Sequence, residues 1–100
     1  MLTIKQNDNG IGIKATLSNE QGPVNLTDAE VLFVMGEHEI PSQIVDAENG
    51  QVLVVFESIH TEVPGIYPAE FEVRFPDGRN ETFPNDDYIK IHIMKDLGGR

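Results

Sequence analysis

The sequence lacks the cysteines that cross-link small extracellular scaffolds and the long apolar run that anchors a protein in a membrane. It has no cysteine and no tryptophan among 100 residues. Without cysteine no disulfide or thiolate-bound metal can hold the fold, which favours a protein folded in a reducing cytoplasm. The longest apolar runs, residues 31–35 and 52–56, are far shorter than the roughly 20 residues that cross a bilayer. Residues 1–10 show no apolar core of a signal peptide, so we expect one soluble domain without a membrane anchor.

Basic residues are scarce. Seven Lys and Arg stand against 17 Asp and Glu, which gives a formal net charge of −10. A surface of this sign repels nucleic-acid phosphates and anionic lipid headgroups, so we expect no nucleic-acid and no membrane partner. Two interpretations of the negative charge are open: it only keeps the protein soluble, or it complements a partner protein that presents a basic surface.

Catalytic and metal-binding motifs are also missing. The three histidines are too far apart in sequence for an HExxH motif, and none of the three serines lies in a G-x-S-x-G turn. Glu70 and Glu72 fall about 7 Å apart on one face of a predicted strand, a spacing that a glycosidase could use. Such a pair on the wet face of a strand is more often only solvated. The sequence therefore predicts no enzyme, with no catalytic residue, no cofactor and no metal.

One segment leaves an alternative open. Residues 80–87 are rich in the oxygen donors that calcium prefers, including Asn80, Glu81 and Asn85. No D-x-D-x-D-G spacing organises them, so a polar turn is the favoured interpretation. The alternative function is a carbohydrate-binding or adhesion module of a cell-surface protein, which needs an exposed aromatic platform or a calcium ion held by loops.

Alternation of apolar and polar residues is the dominant pattern. It runs through residues 11–17, 67–75 and 89–93, and each run predicts a strand with one buried face. Residues 31–35 and 52–56 are continuously apolar, which predicts strands buried on both faces or central strands of a sandwich. Convincing helical periodicity is absent. The segment 27–29 is expected to be a short turn before a strand.

Turn-forming pairs separate these runs. Asn49-Gly50 and Asp77-Gly78 each predict a tight hairpin turn. About seven strands at this spacing predict an all-β fold, an immunoglobulin-like two-sheet antiparallel β-sandwich, with an open barrel as the alternative. Residues 1–95 form the predicted β-sandwich domain. Residues 96–100, which contain Gly98-Gly99, are predicted to be a linker stub that leads to a downstream region.

Five residues are predicted to contact a partner protein. Four are carboxylates that occur in pairs on the predicted surface. The fifth is an aromatic side chain beside Pro84 in a polar segment, where it would act as an exposed anchor. The predicted contact residues are Glu70, Glu72, Phe83, Asp86 and Asp87.

A Val-Asn-Leu-Thr turn, a Gly-x-Tyr strand and a Pro-Asp-Gly hairpin follow one another along the chain. They belong to a series of stretches that spans nearly the whole sequence: residues 4–8 (IKQND), 15–17 (ATL), 23–27 (PVNLT), 29–35 (AEVLFVM), 65–71 (GIYPAEF), 75–79 (FPDGR), 82–84 (TFP) and 89–91 (IKI). This series resembles the N-terminal domain of the baseplate upper proteins of phages that infect Gram-positive hosts.

This resemblance implies a structural protein of a phage or prophage tail. It implies an immunoglobulin-like sandwich at the virion tail tip, assembled in the bacterial cytoplasm, that docks a receptor-binding or fibre-bearing protein onto the baseplate. The partners would be other baseplate and tail proteins. Trimer formation would depend on the region downstream. No functional residue is carried over from the family, because the resemblance consists of structural positions and turns.

Overall fold

The computed structural model describes residues 2–85 and 87–97. Within them the chain forms eleven strands and one 3-10 turn at Ser58–His60. The strands are β1 (Leu2–Lys5), β2 (Ile11–Thr16), β3 (Ser18–Asn19), β4 (Gly22–Pro23), β5 (Glu30–Met35), β6 (His38–Pro41), β7 (Gln43–Asp46), β8 (Gln51–Phe56), β9 (Gly65–Arg74), β10 (Asn80–Phe83) and β11 (Ile89–Met94). In the described residues no helix is long and apolar enough to span a membrane.

The strands form two main sheets. The larger has the order β1-β11-β9-β5-β6, and β10 also pairs with β9; the smaller has the order β2-β8-β7. All of these pairs are antiparallel except β1 with β11. The order corresponds to the G-F-C-C′ and B-E-D sheets of a variable-type immunoglobulin sandwich. The predicted fold class, an all-β immunoglobulin-like sandwich, is confirmed.

Three phenylalanines connect the sheets in the core. Phe33 and Phe71 lie in the larger sheet, and Phe56 lies in the smaller one. The ring centroids of Phe33 and Phe71 are 4.8 Å apart, and those of Phe33 and Phe56 are 5.8 Å apart, both in edge-on arrangements. Edge-on pairs add to the stabilisation that burial provides. The rings are buried at the centre of the interface where antibody domains place a tryptophan and a disulfide.

A tyrosine corner closes the connection between β8 and β9. The Tyr67 hydroxyl donates a hydrogen bond of 2.7 Å to the carbonyl oxygen of Val63, four residues upstream. Immunoglobulin-like sandwiches place such a tyrosine near the start of strand F, two residues before the second cysteine. Here β9 takes the place of strand F, and Ala69, which is buried, occupies the cysteine position.

Both predicted hairpin turns are confirmed. Asn49-Gly50 joins β7 to β8, and Asp77-Gly78 joins β9 to β10. Gly50 and Gly78 have φ of +66° and +92°, in the left-handed region that favours glycine. The Asp77 carboxylate accepts bonds from the Arg79 backbone N–H and Nε, at 3.0 and 2.7 Å. These bonds hold the pKa of Asp77 below its usual range.

The continuous apolar runs are central strands with one buried face each. β5 lies between β9 and β6, and β8 lies between β2 and β7. Leu32 and Val34 of β5 point away from the core and are only half-buried, and Val55 of β8 is 45% exposed. Of the two interpretations of these runs, central strands is correct and burial on both faces is wrong. Neither β1 nor the β3–β4 hairpin was predicted from the alternation pattern.

Candidate protein-contact face

The side of the larger sheet that faces away from the core is the candidate functional site. Side chains alternate across a strand, so the positions between the buried residues of β5, β9 and β11 all point outward. The strand pairing places these outward positions in rows across the sheet. Val34 lies beside Glu70, and Ile66 lies beside His92. We call the outward positions of β1, β11, β10, β9, β5 and β6, together with Tyr88, the outer face.

The centre of the outer face is apolar. Ile66 is 60% exposed and Tyr88 is 58% exposed, although large apolar side chains are usually buried in a domain of this size. Tyr88 borders a shallow depression of about 160 Å³ that Val34, Pro68 and Glu70 also line. Contiguous exposed apolar surface with a polar rim is typical of protein-contact sites, and tyrosine is enriched among the residues that dominate binding energy.

Charged residues surround this centre. Glu70 and Glu72 point outward from β9, and Glu72 forms an ion pair of 3.3 Å with Arg74 on the same strand. Lys90 is exposed on β11, beside Pro68. Neither Glu70 nor Lys90 takes part in an ion pair within the described residues. Their charges are therefore directed at solvent or at a partner.

The four predicted contact carboxylates separate into three groups. Glu70 and Glu72 lie on the outer face, as expected for the wet side of a strand. Asp87 is exposed and adjoins Tyr88, whose backbone N–H it binds at 2.8 Å through Oδ1. Asp86 lies outside the described residues. The structure thus places Glu70, Glu72 and Asp87 at or beside the outer face, and their contact role stays a prediction.

The expectation that Phe83 is an exposed anchor is wrong. Phe83 is the last residue of β10, opposite Phe71 of β9, and both rings point into the core. Only 2% of Phe83 is exposed. The neighbouring Pro84 suggested a loop, but the strand continues through Phe83 and its alternation turns this side chain inward. The exposed aromatic of the segment is Tyr88, five residues later.

Tyr88 was missed because the sequence places it in a polar stretch, next to carboxylates. Leu32 and Val34 did carry a signal: they break the alternation of β5, and an apolar side chain at an outward position indicates a covered or contacting surface. Among the described Phe and Tyr residues, Tyr88 is exposed, whereas the others are buried or half-buried. A single tyrosine is a weak platform for stacking sugars, so the carbohydrate-binding alternative gains no support from the structure.

Two histidines that are distant in sequence meet at another edge of the sandwich. The ring centroids of His38, on β6, and His60, in the 3-10 turn, are 5.2 Å apart. His60 Nδ1 accepts a hydrogen bond of 2.9 Å from the Glu57 backbone N–H, which requires an unprotonated Nδ1. Burial and the nearby His38 lower the pKa of His60, and Glu57 opposes this shift. In the described residues no group of three or more metal-ligating side chains is assembled.

The smaller sheet also has an outward side, and its character differs. Its strand positions carry two charged side chains, Lys14 and Asp46, and a flat spot at Gly12, where an added Cβ would lie 3.1 Å from Leu53 Cδ1. Val55 is exposed beside it. This surface lacks the combination of aromatic centre and charged rim that the outer face shows.

The end of β11 is tied to the sandwich by Gln6. The Gln6 backbone N–H donates to the Met94 carbonyl at 2.7 Å, and its side-chain amide donates to the Glu62 carbonyl at 3.0 Å. The Asp96 N–H donates to Gln6 Oε1 at 3.3 Å. The predicted linker at 96–100 therefore begins with a residue held against the domain. Residues 98–100 lie outside the described part, and the linker stays a prediction.

The fold is shared with a solved phage protein domain. The N-terminal domain of phage TP901-1 ORF48, a baseplate upper protein, matches with a TM-score of 0.68 and 20% sequence identity. The match covers 96% of this chain and 84% of that chain. No family model matches the sequence, and no curated protein matches it. The resemblance expected from the sequence is thus confirmed in the structure, and the chain has the fold of the ORF48 N-terminal domain.

Proposed function

We propose that this domain is a structural module of a phage or prophage tail baseplate. It docks a receptor-binding or fibre-bearing protein onto the tail tip through contacts with other tail proteins, and it catalyses nothing. The observation that carries the proposal is the fold shared with the ORF48 N-terminal domain over 96% of the chain. The domain is assembled in the bacterial cytoplasm and works in the virion.

The outer face is the surface that we assign to these contacts. Its exposed Tyr88 and Ile66 give an apolar centre, and Glu70 and Lys90 give charges that form no ion pair with the described residues. Burying the apolar centre supplies affinity at roughly 25 cal/mol per Å² before the costs of association, and the charged rim supplies orientation and partner choice. A rigid sandwich face suits a structural joint, because little conformational entropy is lost when a preformed sheet docks.

Deletion of the gene from the phage or prophage tests the role. Particles that lack this protein are expected to show an incomplete tail tip in negative-stain electron microscopy and to lose adsorption to host cells. The full-length protein supplied from a plasmid is expected to restore both. Deletion particles with complete tips and normal adsorption overturn the proposal.

The contact face is tested with a matched pair of variants in the same complementation. Tyr88→Ser removes the aromatic centre of the outer face, and Ile59→Ser removes an equally exposed side chain from the 3-10 turn; the two residues are 58% and 59% exposed. Tyr88→Ser is expected to lower the amount of protein that co-purifies with tails at least tenfold, and Ile59→Ser is expected to have no effect. Equal retention of both variants shows that docking does not use the outer face.

A further inference from the structure

We propose that the free edge of β2 binds an extended strand of another tail protein, which fills the position beside β2 in the smaller sheet. The inference rests on the proposed function for the source of that strand, and it concerns a surface other than the outer face. A seven-stranded immunoglobulin sandwich has one sheet in the order A-B-E-D. Here β2-β8-β7 supply the B-E-D part, whereas the first strand, β1, pairs with β11 of the larger sheet. Among the described residues, none fills the position of strand A.

The backbone of β2 presents hydrogen-bonding groups along this vacant position. The Leu17 N–H donates to the Gly50 carbonyl oxygen at 2.8 Å, in the register that pairs β2 with β8. Bonded positions alternate along an antiparallel pair, so the odd-numbered residues of β2 are the ones that bond to β8. The N–H and C=O groups of Gly12, Lys14 and Thr16 point the other way, where they form no hydrogen bond with the described residues. An added strand can bond to all of them.

The core-facing side chains at this edge are incompletely covered. On β8, the next strand of the sheet, the core-facing Val52, Val54 and Phe56 are fully buried, whereas the core-facing side chains of β2 are half-buried. Across the opening between the sheets, Leu2 points to the same side of β1 as the buried Ile4, yet it is 39% exposed. A strand that adds to a sheet edge buries such surface with its alternate side chains.

A depression of about 220 Å³ continues the opening at the end of β2. Its lining comes from both sheets and includes Ala15, Leu17, Phe83, Pro84 and Ile89. A cavity of about 150 Å³ lined by apolar side chains can hold a benzene ring, so this depression has room for a leucine side chain. We therefore expect the largest inward side chain of the partner strand to lie opposite Ala15.

β2 also lacks the features that protect the other strand edges. The remaining edges of the two main sheets belong to β1, β6, β7 and β10, which have four residues each. β6 ends at Pro41, Pro84 follows β10, and the register of β7 shifts between Ile44 and Asp46. Short strands, proline and bulges all hinder edge pairing. β2 has six residues without proline and pairs with β8 without a shift, so it is the edge that is open to a partner.

Charge defines the partner strand further. Lys14 is exposed at the middle of β2, so an antiparallel pairing with β2 of a second copy, centred there, would bring two lysines together. A carboxylate in the opposite strand position stabilises the pairing instead. Beyond the end of β2, Glu20 and Asn85 line a second depression, and Asn85 donates a hydrogen bond of 3.0 Å to Glu81. An antiparallel partner strand is therefore expected to begin with a basic residue near these two carboxylates.

The peptide acetyl-Lys-Val-Thr-Leu-Glu-Val-Thr-Val-amide has this pattern and is the probe. In antiparallel register its Glu lies opposite Lys14 and its Leu lies opposite Ala15. Titration of the isotope-labelled 100-residue chain, followed by NMR, is expected to shift the amide signals of β2 and of Phe83 and Ile89. The signals of β5 and β6, on the far side of the larger sheet, are expected to stay unchanged.

Hydrogen exchange reports the register of the pairing. In the free chain, the amides of Gly12, Lys14 and Thr16 are expected to exchange rapidly, because they face the vacant position. With saturating peptide their exchange is expected to slow at least tenfold. The amides of Ile13 and Ala15 bond to β8, so the peptide is expected to change their exchange much less.

Two N-methylated peptides separate strand pairing from general apolar binding. An N-methyl group on the Glu of the peptide removes the N–H that bonds to the Lys14 carbonyl oxygen, and it is expected to weaken binding at least tenfold. An N-methyl group on the neighbouring Leu lies on the side that faces away from β2, and binding is expected to stay within a factor of three.

Variants of the chain test the same edge. Lys14→Pro removes an N–H that β8 does not use, at an edge position where proline is compatible with a strand, and it is expected to abolish peptide binding. Lys14→Glu leaves the backbone intact and is expected to weaken binding, whereas a peptide with Lys in place of Glu is expected to restore it. Lys90→Glu makes the same change in net charge on the outer face, and the original peptide is expected to bind it like the native chain.

The outcomes distinguish this inference from the proposed function. A peptide that does not bind at 1 mM, equal affinities of the two N-methylated peptides, or slowed exchange at residues other than Gly12, Lys14 and Thr16 overturns the strand pairing. In the phage complementation, Lys14→Pro and Lys14→Glu are each expected to lower the protein retained on tails at least tenfold, and full retention of both overturns a tail protein as the partner. None of these results changes the tail-tip phenotype of the deletion, which alone decides the proposed function.

Discussion

Replacement of Tyr67 by phenylalanine removes one oxygen atom and tests the tyrosine corner. The hydroxyl donates to the Val63 carbonyl across the connection between β8 and β9, at 2.7 Å. The ring is half-buried, and it packs against Gly36 and Gly65 with contacts that the substitution keeps. The change therefore isolates a single hydrogen bond.

The expected cost follows from that bond. A hydrogen bond within a protein contributes about 0.5 to 1.5 kcal/mol net, because water replaces it in the unfolded chain. Val63 is an exposed loop residue, so its carbonyl oxygen regains water in the variant, and we expect a loss of about 1 kcal/mol. For a domain of this size, a loss of about 1 kcal/mol lowers Tm by roughly 4 to 8 °C.

Thermal unfolding by calorimetry, with urea unfolding as a second measure, gives the result. Tyr88→Phe is the matched control, because the Tyr88 hydroxyl forms no hydrogen bond with the described residues and its Tm should change by less than about 1 °C. Equal shifts for Tyr67→Phe and Tyr88→Phe contradict the assignment of a tyrosine corner.

Three further perturbations test the hairpin turns, the corrected position of an aromatic residue and the histidine edge. Gly50→Ala should lower the free energy of unfolding in urea far more than Gly78→Ala does. A Cβ on Gly50 would lie 2.5 Å from the Leu17 carbonyl oxygen, whereas a Cβ on Gly78 meets nothing within 4 Å. Equal losses of unfolding free energy refute the steric argument. Phe83→Ala should cost about 3 to 5 kcal/mol by the same method, because the ring is buried, and a loss below about 1 kcal/mol would indicate an exposed side chain. Burial and a neighbouring imidazole lower the pKa of His60 in the folded chain. The contribution of the neutral His60 to stability is therefore full above pH 6.5, the ordinary histidine pKa, and is lost as pH falls through the lowered pKa of the folded state. His60→Gln should therefore flatten the decline of Tm below pH 6.5, and an unchanged decline excludes this histidine as its cause.

Much of the fold could be predicted because local patterns and tertiary structure agree. The alternation in residues 67–75 reflects one long central strand, and Asp77-Gly78 forms the turn that its chemistry predicts. β1 escaped prediction because four residues with a single buried side chain, Ile4, show no periodicity. Its position depends on parallel pairing with β11, whose paired residues are 89 positions away in sequence, which no local pattern contains.

The candidate site was predictable in part. The outward positions of Glu70 and Glu72 could be predicted from alternation alone, because both residues lie on the polar side of one strand. Tyr88 and Lys90 could not be grouped with them, since that requires knowing that β11 pairs with β9. Phe83 was misplaced because its neighbours are polar, while its own strand position decides its burial. The contact between His38 and His60 likewise arises only when the sheets pack.

The most direct test of the central claim is mass spectrometry of purified phage tails from the strain that carries this gene. Tails separated from heads by density gradient are digested, and peptides from this sequence are quantified against those of known tail proteins. If the chain is a structural baseplate domain, its peptides are expected at a fixed stoichiometry to the known tail proteins, and the protein is expected to stay on the tails through high-salt washes. Peptides found only in the cell lysate or culture medium, and absent from tails, contradict the account.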